Sequence, residues 1–180
     1  MVPSKARELV GGETALVLAE MNASAKVRGA LLPADVGRGS FVLGTDTLVT
    51  IDGRVMGKPA SAGEAAEMLA ALSGRTHQVV SGVALARTGE CGQSLNAGEL
   101  RVASAVTEVT FLSLREVDVD AYCASGEWKG KAGGYAIQGL AGLYAAEVRG
   151  EYSNVVGLPL CLLGRMFRQA GFDLARRQWL

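Results

Sequence analysis

Residues 44–59 read GTDTLVTIDGRVMGKP and come directly after the apolar run 41–43. Aliphatic, aromatic and β-branched residues fill this run and the run 48–51, which predicts two short strands. Asp52-Gly53 predicts a tight turn between strands, because both residues tolerate positive φ. We therefore expect an antiparallel hairpin here, with the carboxylate of Asp46 at the point where its first strand ends.

Two charged side chains of this stretch are candidates for chemistry. Asp46 follows a strand, where carboxylates often hold Mg²⁺ or a water that attacks phosphorus, although an aspartate that caps a turn is the alternative. Lys58 precedes Pro59, and a proline favours an extended backbone at the residue before it. The ammonium of Lys58 is then a directed partner for phosphate, and a solvated surface lysine is the alternative.

Composition restricts the class of protein. The 180 residues are enough for one domain with a sizeable core. Lys plus Arg (18) equals Asp plus Glu (18), so no overall field attracts nucleic acid polymers or acidic lipid. Mean hydropathy is +0.22 without an apolar run that could span a bilayer. With no signal-peptide pattern and three scattered cysteines, we expect a reduced, cytoplasmic protein outside the membrane.

The rest of the chain mixes helices and strands without the regular alternation of a doubly wound fold. A capping box starts one of the helices, and a glycine-containing loop over 88–98 joins two long strands as an antiparallel hairpin. These patterns predict helices at 13–32, 61–73, 118–125 and 159–170, strands at 78–86 and 99–112, and a strand end at 135–137.

Two motifs downstream also bear polar groups. Residues 126–134 (GEWKGKAGG) approach the phosphate-binding pattern GxxxxGK[ST], but the spacing is one residue short and Ala132 replaces the hydroxyl. We interpret the segment as a mobile glycine loop that carries Lys131. Gln138 follows it, and its amide can either read a base edge or tie two loops together.

Two weaker signals have structural alternatives. The stretch 152–160 (YSNVVGLPL) leads into the last helix, whose first amides could face an anion, or it is an ordinary helix entry. The single histidine, His77, has no acid or nucleophile identifiable beside it, which favours a structural role and excludes a multi-histidine metal site.

The order of five blocks resembles the Maf family of nucleoside triphosphate pyrophosphatases over residues 25–172. This family is similar in fold to the inosine triphosphatase group. The resemblance implies a single α/β domain with an elongated mixed β-sheet, flanking helices and two lobes around a cleft. The blocks are GTDTLV (44–49), GRVMGKP (53–59), LSGRTHQVVSGVAL (72–85), GKAGGYAIQG (130–139) and YSNVVGLPL (152–160).

The resemblance also implies an activity. Family members use a divalent cation, Mg²⁺ or Mn²⁺, and direct water at the α-phosphorus of a nucleotide, releasing the monophosphate and pyrophosphate. Asp46 matches the proton acceptor and a metal ligand of the family. The block 131–139 (KAGGYAIQG) is like that of the branch acting on dTTP and UTP.

The remaining site residues follow from the same match. Thr47 and Gln138 match positions tied to base selection, whereas Lys26 and Lys58 match lysines at the phosphate end. Lys131 lies in the matching mobile loop.

One family feature has no counterpart in the sequence. Family members open with a strand and a loop that contains serine and two arginines, and residues 4–7 match this loop poorly. We expect either that the true start lies upstream or that a phosphate-binding wall is lost. An unpaired sheet edge would then favour a homodimer. The alternative function is a catalytically weak or inactive nucleotide-binding regulator linked to septum formation.

Overall fold

The computed structural model describes residues 14–89, 95 and 99–180, so residues 4–7 and most of the loop 88–98 lie outside it. Five helices and seven strands are found in the described part of the chain, together with short 3₁₀ turns at Ala132–Gly134 and Leu140–Leu143. In chain order they are α1 (Ala15–Arg28), β1 (Phe41–Ile51), β2 (Arg54–Met56), α2 (Ala62–Leu72), β3 (Thr76–Arg87), β4 (Arg101–Phe111), α3 (Glu116–Ser125), β5 (Ala145–Arg149), α4 (Tyr152–Val156), α5 (Leu160–Gln169), β6 (Phe172–Asp173) and β7 (Gln178–Trp179).

Five strands form one antiparallel sheet in the order β2-β1-β3-β4-β5, and helices flank it. The β1–β2 hairpin turns at Asp52 and Gly53, both with positive φ, and pairs Ile51 with Arg54 as predicted. β6 and β7 pair separately. The predicted α/β class with a helix-flanked sheet is confirmed, and among the described strands of the large sheet the pairing is antiparallel throughout.

The chain divides into two compact units. The first contains the described residues of Met1–Asp46, Ser81–Ala105 and Leu158–Leu180, and the second contains Thr47–Val80 and Val106–Gly157. A single Maf-like domain stays a prediction. None of the described helices has the length and apolarity that a membrane span requires.

The first unit is organised by close contact between α1 and the strand backbones. A Cβ added at Gly44 would lie 2.6 Å from the carbonyl oxygen of Ala23, and one at Gly82 would collide with the carbonyl of Ala19. Glycine is therefore required at both strand positions for the helix to lie this close. Val27 and Val42 pack beside the contact in one buried cluster.

The second unit has an aromatic centre. Tyr135 packs edge-on against Phe111, with ring centroids 4.9 Å apart, and also against His77. The capping box was predicted at Ser61 and Glu64. Ser61 caps α2 by accepting from the amide of Glu64 as predicted, whereas the Glu64 carboxylate accepts from the amide of Ala60, one residue before the cap. This core orders the segments that carry most of the polar residues singled out in the sequence.

Two local predictions were wrong, and four short elements were missed. Asp46 lies in the middle of an unbroken β1 and not at a strand end, because Gly44 continues the strand beneath α1 where the sequence suggests a break. Residues 135–137 are not a strand, since Tyr135 turns into the aromatic core between two 3₁₀ turns. The strands β5, β6 and β7 and the short helix α4 were not predicted, because each is only two to five residues long and none has a turn signal like that before β2.

Candidate active site

Asp46 is the one buried carboxylate among the described residues, with 5% of its surface exposed. Its Oδ1 accepts from Nζ of Lys26 at 2.6 Å, and its Oδ2 accepts from Nδ2 of Asn22 at 2.9 Å. Burial of an ionised carboxylate is unfavourable unless it is paired and hydrogen-bonded. Lys26 supplies the opposite charge and Asn22 supplies a neutral donor, so both conditions are met.

Both partners of Asp46 come from one face of α1. Asn22 and Lys26 are four residues apart, which places them one above the other on a helix. The contact at Gly44, two residues before Asp46 on the same face of β1, brings the helix within reach of the carboxylate. Thr14 fixes the start of α1 by accepting from the amide of Val17 at 3.4 Å.

Thr47 is the next residue of β1 and belongs to the second unit. Its hydroxyl donates to the carbonyl of Gly157 at 3.5 Å. Asn154 is fully buried and donates to the carbonyl of Val79 and to the hydroxyl of Thr107, both at 3.0 Å. The 152–157 part of the motif YSNVVGLPL is thus an internal tie that holds the backbone beside Thr47.

Lys58 is exposed, and the following Pro59 is buried. The carbonyl of Gly57 accepts from the amide of Gly133 at 3.0 Å. This hydrogen bond joins the segment that carries Lys58 to the glycine loop that carries Lys131, which is also exposed. The segments that carry two of the predicted phosphate lysines are therefore joined within the second unit.

Gln138 is exposed in a turn between the two 3₁₀ segments. The turn is tied from both sides, because Tyr122 accepts from the amide of Ala136 at 2.9 Å and Glu127 accepts from the amide of Leu140 at 2.8 Å. A Cβ at Gly139 would collide with the Glu127 carboxylate. The hydrogen bonds that tie this turn are therefore made by residues beside Gln138, and reading of a base edge by the Gln138 amide stays a prediction.

His77 has the structural role that the sequence favoured. Its Nε2 is 2.8 Å from the hydroxyl of Tyr135, and the ring packs edge-on against Phe111. Burial lowers the pKa of His77 to about 4, and burial also raises the pKa of Tyr135. The histidine is therefore neutral at physiological pH and enclosed in the core.

The model of the family described as Maf-like protein matches residues 1–170 of the chain. The chain belongs to the Maf family. It is similar to proteins named dTTP/UTP pyrophosphatase from Mesorhizobium japonicum (43% identity over 78% of this chain and 64% of the relative), Thermococcus gammatolerans (39% over 98% and 88%) and Methylococcus capsulatus (47% over 75% and 62%). The chain thus spans less than two thirds of the length of the first and the last of these relatives.

The donor set of this Maf protein limits the kind of cation site it can offer. Within the described residues, no three His, Cys, Asp or Glu side chains cluster as metal ligands. Mg²⁺ at nucleotide sites is commonly held by one or two carboxylates, with phosphates and water completing its shell. Asp46 has two oxygens with lone pairs beyond those used by Lys26 and Asn22, so it fits as the protein carboxylate of a site that the nucleotide completes.

The structure brings together two of the six residues predicted for the site, Lys26 and Asp46, in the first unit. Thr47, Lys58, Lys131 and Gln138 belong to the second unit. Sequence reasoning missed Asn22 and Glu127. Asn22 could have been found by helical spacing, since it lies one turn before Lys26, whereas nothing local in the sequence links Glu127 to Leu140.

Proposed function

We propose that this Maf protein is a nucleoside triphosphate pyrophosphatase that hydrolyses dTTP and UTP to the monophosphate and pyrophosphate. The observation that carries the proposal is the buried Asp46 carboxylate, which Lys26 and Asn22 hold from one helix. The names of similar proteins, at 39–47% identity, support the reaction and the pyrimidine substrates. A cytoplasmic location and a homodimer stay predictions.

In the proposed reaction, Asp46 accepts a proton from the water that attacks the α-phosphorus. A bond forms between the water oxygen and this phosphorus, the bond to the bridging oxygen of the β-phosphate breaks, and pyrophosphate leaves with that oxygen. Lys26 and Lys58 stabilise the phosphate charge, and Lys131 adds a further cation from the glycine loop. Positioning and charge neutralisation are the main requirements of phosphoryl transfer.

A divalent cation, Mg²⁺ or Mn²⁺, is part of the proposal. Asp46 would hold it together with the phosphates of the nucleotide, and it would neutralise phosphate charge as a Lewis acid. Lys26 then has two tasks, because it pairs with Asp46 and carries a positive charge for the phosphates.

Base selection is assigned to Thr47 and Gln138. Gln138 is exposed on a turn that Glu127 and Tyr122 fix, so its amide is presented from a rigid support. An amide has both donors and an acceptor, which suits recognition of the imide edge of thymine or uracil. A base with the opposite pattern leaves polar groups unpaired and is rejected.

The test is product analysis with a panel of dTTP, UTP, CTP and GTP in the presence of Mg²⁺ or Mn²⁺. We expect pyrophosphate and the monophosphate from dTTP and UTP in preference to the other two. In water enriched in ¹⁸O, the label should appear in the monophosphate, because the proposed attack is at the α-phosphorus. Release of orthophosphate, label in pyrophosphate, or no turnover of any triphosphate would contradict the proposal, and binding without turnover would favour the regulator.

A further inference from the structure

Asn22 is a buried side chain that contacts Asp46 but takes no direct part in the steps of the proposed reaction. It is 1% exposed, and its amide nitrogen lies 2.9 Å from Oδ2 of Asp46. Asn22 and Asp46 are far apart in the sequence, so their contact depends on how α1 packs on β1. A polar side chain is seldom buried to this degree without a defined partner.

Lys26 alone does not fix the direction of the carboxylate. Its side chain is 26% exposed and has four rotatable bonds, and its ammonium also donates to the carbonyl of Thr45 at 3.3 Å. The ion pair with Lys26 therefore neutralises the charge of Asp46 but only weakly fixes the orientation of its carboxylate. Asn22 has two side-chain torsions and is enclosed, so its hydrogen bond imposes a direction that the ion pair does not.

The backbone of the first unit fixes the position of Asn22. Its neighbours Ala19 and Ala23 present their carbonyls to the strand glycines Gly82 and Gly44, with no room for a Cβ at either. The helix therefore cannot approach or slide without steric overlap. The backbone of α1 on both sides of Asn22 is thus held against two strands, independently of any contact that the Asn22 side chain makes.

We infer that Asn22 is a positioning residue for Asp46: its enclosed amide holds Oδ2 and so sets the direction of the carboxylate that receives the proton. This inference rests on the proposed function. Lys26 and Asn22 divide the task, since one supplies the charge and the other the orientation. Asn22 acts on turnover through Asp46.

The test compares Asn22→Leu, which keeps the branched outline of the side chain and removes the donor, with the parent enzyme on dTTP. We expect kcat to fall by about tenfold or more, with KM changed by less than about threefold, because alignment of the base is lost and nucleotide binding is retained. Asn22→Ala, which a helix accepts readily, should show the same division between kcat and KM if the leucine variant does not fold.

Two controls on the same helix separate positioning from general loss of stability. Ser24→Ala removes the hydrogen bond from its hydroxyl to the carbonyl of Glu20, and Leu18→Val loosens a buried contact one turn before Asn22. Leu18→Val should lower Tm, Ser24→Ala should change Tm little because alanine favours the helix, and both should leave kcat within about twofold of the parent. A fall in kcat with these controls that matches the fall with Asn22→Leu would overturn the inference.

A double-mutant cycle on Tm provides a readout besides activity. Asn22→Leu and Asp46→Asn should be non-additive, because each removes one partner of the same hydrogen bond. Additive losses would overturn the inference. If Asn22→Leu keeps full kcat while Asp46→Asn is inactive, Asn22 has no positioning role and the proposed function stands. If the parent enzyme has no turnover, the proposed function itself is refuted.

Discussion

At the scale of the residue, the candidate site contains one buried charged side chain and several exposed polar ones. Asp46 is a buried carboxylate inside a strand, and it is stable there because an ammonium and an amide from α1 meet its two oxygens. Lys58 and Gln138 are instead exposed, on segments that hydrogen bonds of the neighbouring backbone fix. We therefore expect substitution of the exposed residues to change activity without a large loss of stability.

Lys58→Ala should lower kcat/KM for dTTP by about tenfold or more, since a cation near phosphates stabilises charge in both the bound state and the transition state. Folding should be unaffected because the side chain is exposed. Steady-state kinetics check this, with Lys129→Ala as the control because Lys129 lies over the Trp128 ring. Unchanged kcat and KM in Lys58→Ala would refute the role.

Gln138→Glu should change the ranking of dTTP, UTP, CTP and GTP as substrates. The substitution replaces amide donors by acceptors on a turn whose backbone ties to Glu127 and Tyr122 remain in place. A base that loses a buried partner is disfavoured by about 1–3 kcal/mol, which is a roughly five- to 150-fold change in kcat/KM. Relative rates for the four nucleotides are the measurement, and an unchanged ranking places base selection elsewhere.

At the scale of the element, the key contact is that of α1 with β1 and β3. Gly82→Ala should lower the free energy of unfolding by about 1–3 kcal/mol, because a methyl group collides with the carbonyl of Ala19 and α1 must shift. Gly164→Ala is the matched control, since nothing lies within 4 Å of a Cβ there and the site is inside α5. It should stabilise by about 1 kcal/mol.

Urea unfolding of both variants checks these signs. If Gly82→Ala is as stable as the parent, the close approach of α1 is not what organises the first unit. Gly82→Ala should also lower turnover, because a shifted α1 moves Asn22 and Lys26 away from Asp46.

The sequence predicts the elements whose signals are local. The turn at Asp52-Gly53 and the cap at Ser61 depend on residues next to one another, and the structure has both. The place of Asp46 within β1 depends on α1 lying over Gly44, and this contact joins parts of the chain that no local pattern connects. Helical spacing places Asn22 one turn before Lys26, but its contact with Asp46 depends on the same packing of α1 on β1, whereas Lys26 is found through family resemblance.

At the scale of the whole molecule, the pH dependence of stability between about pH 6.5 and 4 should come chiefly from one residue. His77 is the only histidine of the chain, and burial lowers its pKa to about 4 in the folded state. The unfolded chain has an ordinary histidine pKa near 6.5. As the pH falls from about 6.5 to 4, the unfolded state therefore binds a proton that the folded state does not, and stability decreases.

The expected loss over this pH range is about 3 kcal/mol, and full stability is present above pH 6.5. Urea unfolding at pH 7, 6, 5 and 4.5 measures the slope. His77→Gln is the control, because it keeps a polar side chain and does not titrate, and its unfolding should be nearly independent of pH above 5. An equal slope in parent and variant would assign the effect to other groups.

Pyrophosphate release from dTTP with Mg²⁺, measured for three proteins, tests whether Asp46 is the base of a nucleotide pyrophosphatase. The parent is compared with Asp46→Asn and with Asp52→Asn, the same substitution at an exposed turn carboxylate paired with Arg75. We predict that Asp46→Asn lowers kcat/KM by about a hundredfold or more, while Asp52→Asn stays within about twofold of the parent. Turnover by Asp46→Asn at the parental rate would contradict the claim.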